Sequence, residues 1–483
     1  MSIDRMTSAT IEPFTLTEPA ALLSWTDVVI TEGRRGSERV LLAAVDLRVF
    51  AGERVCLVAA DATTRAALVA LLTGERAPLY GTVRGLARSA GPASGDGPVH
   101  LVLGRGSGSA SVVVAADPAD APQATRTCVF RDGALRVVPQ ELRWDAEQVS
   151  RQVEQTFVDV GVPVATARMV AQVLVAADVR GHRSHGVQLV PMYLDRVRAG
   201  GIVPEAEPEV IQSNPIVTVL SANGGFGQVA AERAARLCAT KAREHGLAAV
   251  AVRDNNHVGM LAAYRQPFVD AGVVALVLNI SGPSVAAPGA SRATLGNDAI
   301  CVIAPQGPGR PPLIADLATG VVAAGKIRDA AALGRSVPKE WLIGPDGRPS
   351  TNPFDLDNGG AVPVFGGAES AYKGLCITVI VEVLAGMLAG ATVSPLVSKQ
   401  RAHPESVMNC SQMFIGFDPV AFAAGDIEAL TQTLVGAVAA GHGAAVPDIY
   451  FPEQKETLQM TETAERGIVV PGAVADLLGL VRP

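Results

Sequence analysis

Aromatic residues make up only 4% of this 483-residue chain, and charged residues only 18%. The formal net charge is −7, so the chain lacks the excess of basic side chains that neutralises phosphates, and nucleic acid is not expected as its main partner. The hydrophobic share of 48% excludes a disordered, collagen-like or coiled-coil protein. The length is about three times the ~150 residues of a typical domain, which predicts more than one folding unit.

Cysteines are few and scattered, and a targeting segment is not visible. The six cysteines include no C-x-x-C pair, which is typical of reduced thiols in a cytosolic protein. The first ten residues lack the basic start and apolar run of a signal peptide. The most apolar stretch, Gly374–Val393, is long enough to cross a bilayer, but Glu382 lies at its middle and glycines interrupt it. We therefore expect a cytoplasmic protein without membrane insertion, in which this stretch forms a buried helix.

Two kinds of catalytic pattern are missing as well. Only His182 and His185 lie close together among the histidines, and no H-x-x-x-H or clustered Cys/His spacing occurs, so no metal site is expected. The G-x-S-x-G turn of many serine hydrolases is also absent from the sequence.

The chain changes character near residue 140. Before it lie short β-like runs, and from Asp145 onward apolar residues recur at helical spacing, predicting helices over Asp145–Val160 and Val164–Ala177. We predict an α/β protein with two domains, residues 1–138 and 142–483, and a boundary near Val138–Leu142. The β-like runs are Val40–Val49, Arg54–Val58, Val99–Leu103, Ser111–Ala115 and Thr127–Phe130.

The first domain carries the run AGERVCLVAADATTRAALVALLTGERAPLYGTVRG, which resembles the start of an ABC-transporter ATPase domain. In a phosphate loop, glycines let backbone N–H groups surround the phosphates, Lys contacts the β- and γ-phosphates, and a hydroxyl binds Mg²⁺. The corresponding positions here are Ala59, Thr64, Arg65 and Ala66, and the family's LSGGQ signature is missing. We therefore predict a truncated, degenerate P-loop-like domain that serves as a structural or interaction module and does not hydrolyse ATP.

The second domain contains two histidine motifs. The first, DVRGHRSHGVQLVPMYLDRVRAGG, includes His185, and the second, LSANGGFGQVAAERAARLCATKAREHGLAAVAVRDNNHVGMLAAY, includes His257. Histidine titrates near neutral pH, so each of these rings is a candidate to give or take a proton. The glycines Gly224–Gly227 do not form a G-x-G-x-x-G fingerprint and are predicted to be a turn.

Together with later stretches, these motifs resemble the type-2 malate/L-lactate dehydrogenase family from about Val149 to Leu480. The resemblance implies a mixed α/β, non-Rossmann fold and hydride transfer between NAD or NADP and a small 2-oxo or 2-hydroxy carboxylate or a cyclic imino acid. It also implies a homodimer or a dimer of dimers, with the active site between subunits. It points to His185 as the first choice for the proton donor, with His257 orienting the substrate or sharing the proton path.

The resemblance also implies binding residues. Those for substrate are Ser184, Tyr193 and Asn256, and those for the cofactor are Ser281, Asp316, Leu317, Ala318, Thr319, Tyr372, Lys373, Gly374 and Glu453. The sequence departs from the family pattern at several places. Leu189 replaces an arginine suited to a substrate carboxylate, with Arg183 or Arg196 as alternatives, while Cys376 and Glu453 replace glycines. These departures leave a second hypothesis open, a non-catalytic or partner-dependent protein built on a dehydrogenase scaffold.

Overall fold

The computed structural model describes residues 142–481 except 308–309, 333–335 and 442–450, and, before residue 142, nine strands together with Leu68 and Ala70. The chain divides into two compact units, Met1–Gln140 and Glu141–Pro483.

The first unit contains two sheets. The described strands are β1 (Leu23–Glu32), β2 (Arg39–Val49), β3 (Arg54–Ala59), β4 (Tyr80–Arg84), β5 (Arg88–Ser89), β6 (Val99–Leu103), β7 (Ala110–Ala115), β8 (Arg126–Arg131) and β9 (Ala134–Val138). One sheet has the order β2-β1-β4 and the other β5-β6-β7-β3-β8-β9, in which β3 pairs in parallel with β7 and β8. Ala59 ends β3, whereas Thr64, Arg65 and Ala66 lie outside the described residues. The ATPase-like assignment of this unit therefore stays a prediction.

The second unit alternates helices and strands. Its helices are α1 (Ala146–Val158), α2 (Val164–Val179), α3 (Val190–Ala199), α4 (Gly227–His245), α5 (Gln266–Ala271), α6 (Ala324–Ala332), α7 (Gly367–Val381), α8 (Ile427–Ala440), α9 (Gln454–Arg466) and α10 (Gly472–Leu477). Its strands are β10 (Arg143–Trp144), β11 (Glu209–Ser213), β12 (Val217–Ser221), β13 (Leu247–Asn255), β14 (Val274–Asn279), β15 (Pro283–Ala286), β16 (Leu295–Gly296), β17 (Ala299–Ala304), β18 (Leu313–Ala318), β19 (Val362–Pro363), β20 (Cys410–Phe417) and β21 (Ile468–Val469).

The centre of this unit is a seven-stranded sheet in the order β11-β12-β13-β20-β14-β17-β18. Only β12 and β13 pair in parallel, and every other neighbouring pair is antiparallel. A Rossmann sheet is mostly parallel, with helices in the crossovers between its strands. The fold is therefore a mixed α/β fold of a different kind, as the sequence predicted.

The two faces of the sheet are covered by different helices. Along β13, Val250 and Val252 point to the face covered by the alanine-rich side of α4, while Ala251 belongs to the opposite apolar cluster. This opposite cluster includes Val381 at the end of α7 and Ala385 in the π-helical segment Glu382–Met387 that continues it. The alternation follows from the two-residue period of a strand.

The helix predicted to be buried within Gly374–Val393 is buried on one face only. Its segment Glu369–Met387 is long and apolar enough to cross a membrane, yet 33% of it is buried inside the chain. The prediction of a buried helix is wrong for the outer face, where apolar side chains are exposed. They are Val379, Ile380, Val383, Met387 and Leu388. Periodicity could not reveal this, because the stretch is apolar on both faces.

Candidate active site

His185 lies in a short 3₁₀ turn, Arg183–His185, just after α2. The buried carboxylate of Asp178, in the last turn of α2, accepts a hydrogen bond of 2.7 Å from the backbone N–H of Val187. This bond ties the residues on either side of the turn together and fixes the backbone that carries the imidazole. Burial raises the pKa of Asp178 to about 7.

His257 follows β13, and the start of α4 lies directly against it. A Cβ atom on Gly227 would lie 2.4 Å from the carbonyl oxygens of both Asn256 and His257. Because real Cβ atoms do not approach backbone oxygens so closely, only glycine allows this helix start to reach the histidine. The glycine turn predicted before a long helix is present, and its last glycine is needed for this contact.

The two histidines come together in one site. Their rings are nearly parallel, at 17°, with centroids 5.9 Å apart. The Nδ1 atom of His185 lies 3.1 Å from the hydroxyl of Ser184, and the Nδ1 atom of His257 lies 2.7 Å from the hydroxyl of Tyr193. Each ring is thus held at one nitrogen by a hydroxyl, which leaves the other nitrogen of each ring for chemistry.

Desolvation keeps both rings neutral. Burial, followed by the charge of His182, lowers the pKa of His185 to about 4. Burial, followed by the charges of His185, Arg196 and Arg401, lowers the pKa of His257 to about 3. The imidazolium that the sequence suggested as a proton donor is therefore not the resting form at neutral pH, and each ring must first take up a proton before it can donate one.

Two residues predicted to bind substrate have other roles in the structure. Asn256 is fully buried, and its amide group hydrogen-bonds to the carbonyl oxygens of Gly224 and Gly225 and accepts from Arg196 and Met408. Tyr193 is also fully buried, and its hydroxyl is engaged by His257. The polar atoms of both side chains are thus paired within the chain, and their substrate-binding role stays a prediction.

The alternative carboxylate ligand Arg196 is only partly paired. Its side chain is fully buried, and its Nη2 atom donates to the carbonyl oxygens of Gly201 and Ser406, and to Asn256. Its Nε and Nη1 atoms have no hydrogen-bond partner in the described part of the chain. Leu189, at the position of the expected arginine, is packed into the hydrophobic core and has no polar group for a carboxylate. The role of Arg196 stays a prediction.

The predicted cofactor residues fall into two groups. In the first, the backbone N–H groups of Ser281 and Thr319 both donate to Asp298. The carbonyl oxygen of Thr319 accepts from Phe365, whose own carbonyl oxygen would lie 2.3 Å from a Cβ on Gly374. The hydroxyl oxygens of Ser281 and Thr319 are buried and have no hydrogen-bond partner in the described part of the chain. Unpaired buried hydroxyls are costly, so this pair fits the polar groups of a nicotinamide nucleotide.

The second group consists of Asp316 and Glu453. Asp316 accepts a hydrogen bond of 2.9 Å from the backbone of Ala262, and burial raises its pKa to about 6. Glu453 forms an ion pair of 2.5 Å with the buried guanidinium of Arg180. Its φ of +74° explains why relatives with the family pattern carry glycine at this place, since the left-handed region disfavours a side chain. The carboxylate of Glu453 therefore has its partner within the chain, at Arg180.

The remaining predicted cofactor residues point outward. Leu317, Tyr372 and Lys373 are exposed, and Ala318 is half-buried at the end of β18. Cys376, which replaces a glycine of the family pattern, is an exposed position inside the regular helix α7.

A close contact connects the first cofactor group to the histidines. The turn after Thr319 leads into α6, where a Cβ on Gly325 would lie 2.4 Å from the Cβ of Ser184. The segment that follows Thr319 therefore packs against Ser184, whose hydroxyl contacts His185. This places the candidate nucleotide contacts next to the candidate acid/base groups.

The sequence did not single out Gln228 or Asp178, although both shape the site. Gln228 lies on the same helical face as Ala231 and Ala235, all of them buried. A lone polar residue on an otherwise apolar helix face needs a buried hydrogen-bond partner, and this pattern in the sequence could have indicated Gln228.

Paired imidazoles beside two buried, unpaired hydroxyls fit the class of oxidoreductases that combine acid/base groups with a nicotinamide. Residues 144–478 match the sequence profile of the malate/L-lactate dehydrogenase family. A malate dehydrogenase from Pyrococcus abyssi is 34% identical over 245 residues, covering 50% of this chain and 67% of the relative. Hydroxycarboxylate dehydrogenase B from Escherichia coli O157:H7 is 30% identical over 328 residues, covering 68% and 90%.

A solved structure of similar fold is the delta1-piperideine-2-carboxylate reductase from Pseudomonas syringae pvar. tomato. It superposes with a TM-score of 0.61 at 28% identity, covering 70% of this chain and 99% of the reductase. The chain belongs to the malate/L-lactate dehydrogenase family, and it is an oxidoreductase that depends on NAD or NADP.

Proposed function

We propose that the second unit transfers hydride between NAD or NADP and a small 2-oxo or 2-hydroxy carboxylate, or a cyclic imino acid. The observation that carries this proposal is the pair of neutral imidazoles of His185 and His257, 5.9 Å apart, each held at Nδ1 by a hydroxyl. The relatives named above support the substrate class, because their names specify malate, a hydroxycarboxylate and a cyclic imine carboxylate.

The proposed proton path uses His185. When bound, the reduced nicotinamide supplies the hydride to the carbonyl or imine carbon. The electron pair of the double bond then moves to the oxygen or nitrogen, which takes a proton from His185 and leaves that ring neutral. In the oxidation direction the neutral ring accepts the proton of the hydroxyl or amine. The low pKa of the ring keeps it unprotonated at neutral pH, which is the form that accepts this proton.

An anionic substrate would assist its own reduction. A carboxylate bound near the two rings raises the pKa of each, because a negative charge stabilises imidazolium. The resting rings are neutral, so binding of the carboxylate is what would favour uptake of the proton. A neutral ketone of the same size lacks this effect and is expected to be reduced more slowly.

We assign the substrate carboxylate to Arg401. Its charge lowers the pKa of His257, so it lies within electrostatic range of the site, and its own charge interacts with Arg328 and Asp357. Arg401 is exposed, whereas Leu189 has no charge and Arg196 is fully buried. We therefore choose Arg401 as the cation that takes the place of the missing arginine of the family pattern.

The variant Arg401→Gln tests this assignment. Losing a charge-assisted hydrogen bond of roughly 1.5–3 kcal/mol should raise KM for a carboxylate substrate by about ten- to a hundredfold, with little effect on cofactor affinity. Arg198→Gln is the matched control, since Arg198 is an exposed arginine paired with Asp195. An unchanged KM in Arg401→Gln would show that another group binds the carboxylate.

The proposed function is tested by assaying the whole chain against a panel of 2-oxo acids and cyclic imines with NADH and with NADPH. We expect at least one substrate to be reduced, and protein binding to change the fluorescence of one reduced cofactor. Cofactor binding without turnover on any carboxylate would favour the partner-dependent hypothesis. Absence of binding to both cofactors would favour a non-catalytic scaffold.

A further inference from the structure

A chain of buried hydrogen bonds extends from His257 away from the active site. The hydroxyl of Tyr193 lies 2.7 Å from Nδ1 of His257, and Nε2 of Gln228 donates to the same hydroxyl at 2.8 Å. Tyr193 and Gln228 are both fully buried, and the amide oxygen of Gln228 has no partner in the described part of the chain. The hydroxyl is therefore shared by one side-chain amide and one imidazole.

The amide fixes the direction of this chain. Because Gln228 donates into the tyrosine oxygen, the single proton of the hydroxyl is left to point at Nδ1 of His257. The reversed amide would leave two buried N–H groups without a partner, whereas the present one leaves one N–H and the oxygen, and buried orphan donors are rarer than orphan acceptors. Burial also raises the pKa of Tyr193 well above its usual range, so the hydroxyl keeps its proton.

We propose that Gln228 is a positioning residue which, through Tyr193, fixes the tautomer of His257 with Nδ1 bare and the proton on Nε2. The inference rests on the proposed function for its catalytic meaning. His257 then presents a permanent N–H donor to the substrate oxygen or nitrogen and polarises the double bond without transferring its proton.

His185 and His257 differ in how the hydroxyl at Nδ1 is fixed, and this difference gives the two rings different roles. The partner of His185 is the hydroxyl of Ser184, at 3.1 Å from Nδ1 and without a second described side chain fixing it. A serine hydroxyl rotates and can either donate or accept, so His185 can gain and lose a proton at its other nitrogen. His257 is the fixed donor, and His185 carries the proton.

The tautomer can be read directly by NMR on the whole chain labelled with ¹⁵N-histidine. Neutral imidazole shows separate ¹⁵N signals for its protonated and bare nitrogens. We expect His257 to show a bare Nδ1 and a protonated Nε2 at neutral pH. In Tyr193→Phe and in Gln228→Met the ring should lose this preference, and the two ¹⁵N shifts should move towards each other.

A matched variant separates a positioning role from a merely structural one. Gln412 is also a fully buried glutamine, but its amide contacts Asn255 and Asn279 and no histidine. Gln412→Met should leave the His257 tautomer unchanged. For Gln228→Met we expect turnover to fall by about tenfold or more, part of the usual 10²–10⁴ for acid/base assistance, with cofactor affinity retained.

The outcomes distinguish this inference from the proposed function. A protonated Nδ1 in the unmodified chain, or a tautomer that is the same in Tyr193→Phe and Gln228→Met, would overturn the positioning role even if the enzyme is active. The predicted tautomer and its loss in the variants would support that role even if every carboxylate in the panel fails as a substrate. The spectrum of the unmodified chain suffices if a variant does not fold.

Discussion

At the scale of the residue, the pKa values of the two imidazoles determine the pH dependence. A ring with a pKa of about 4 in the free enzyme is neutral from pH 5 upward and is protonated only on the acid side. The rate constant kcat/KM for oxidation, which reports groups in the free enzyme, should stay level across pH 6–7, about the ordinary pKa of histidine, and fall only at lower pH.

In the reduction direction the sign reverses. The proton must be supplied by a protonated His185, whose fraction decreases as pH rises, so kcat/KM for reduction should decrease with increasing pH. Measuring both directions over the same pH range checks the assignment. An inflection at about 6.5 in both directions would show that the ring has the ordinary pKa of histidine, and would contradict the desolvation that the structure indicates.

Residue identities near the histidines were partly predictable from sequence. His185, Ser184 and His257 do lie together, because the turn that follows α2 meets the residues that follow β13. The hydrogen bonds of Asn256 and Tyr193 could not be predicted, since a motif shows which residues are near a site but not which of their polar atoms are already paired. Such pairing depends on residues far away in sequence, as the contact between Asn256 and Met408 shows.

At the scale of the element, one added carbon atom tests how closely the start of α4 packs against the residues that follow β13, Asn256 and His257. Gly227→Ala would place a Cβ 2.4 Å from two carbonyl oxygens, so the helix start or the loop must shift. We expect a loss of roughly 1–3 kcal/mol in the free energy of unfolding, as for other overpacked sites, together with reduced activity. Denaturant unfolding and a steady-state assay measure the two effects.

The control for this substitution is another helical glycine. A Cβ on Gly436 in α8 would meet no atom within 4 Å. Replacing it with alanine should be neutral or stabilise by about 0.5–1 kcal/mol, because alanine suits a helix interior better. If Gly227→Ala behaved like Gly436→Ala, the close packing of α4 against the loop would be contradicted.

The elements themselves were well predicted where the hydrophobic pattern is clear. The helices predicted over Asp145–Val160 and Val164–Ala177 correspond to α1 and α2, with Asp145 accepting from Gln148 as an N-cap. The short strand pairs of the unit could not be predicted, because two-residue strands such as β10 and β21 are defined only by their partners. The exposure of the outer face of α7 was not predicted, because both faces of this helix are apolar.

At the scale of the whole molecule, the exposed face of α7 and its π-helical continuation supports the predicted homodimer. Val379, Ile380, Val383 and Met387 are all exposed, and contiguous apolar patches on a soluble chain typically mark an interface. We propose that a second copy of the chain covers this face. Closed two-fold symmetry is the commonest arrangement of soluble oligomers.

The variant Ile380→Glu tests this arrangement, because it places a charge in the centre of the patch. Light scattering should give the mass of a dimer or larger assembly for the unmodified chain and a smaller mass for the variant. Val302→Glu, on an exposed valine of β17, is the matched control and should keep the assembly. A monomeric, active unmodified chain at micromolar concentration would contradict the proposal.

The most direct test of the central claim is the turnover of His185→Ala and His257→Ala with the substrate and cofactor that the panel identifies. Each variant should lose about 10²-fold or more in kcat, the size of acid/base assistance, while the affinity for reduced cofactor stays close to that of the unmodified chain. His245→Ala, on an exposed histidine at the end of α4, should retain full turnover. Unchanged kcat in both site variants would contradict the claim that these two rings perform the chemistry.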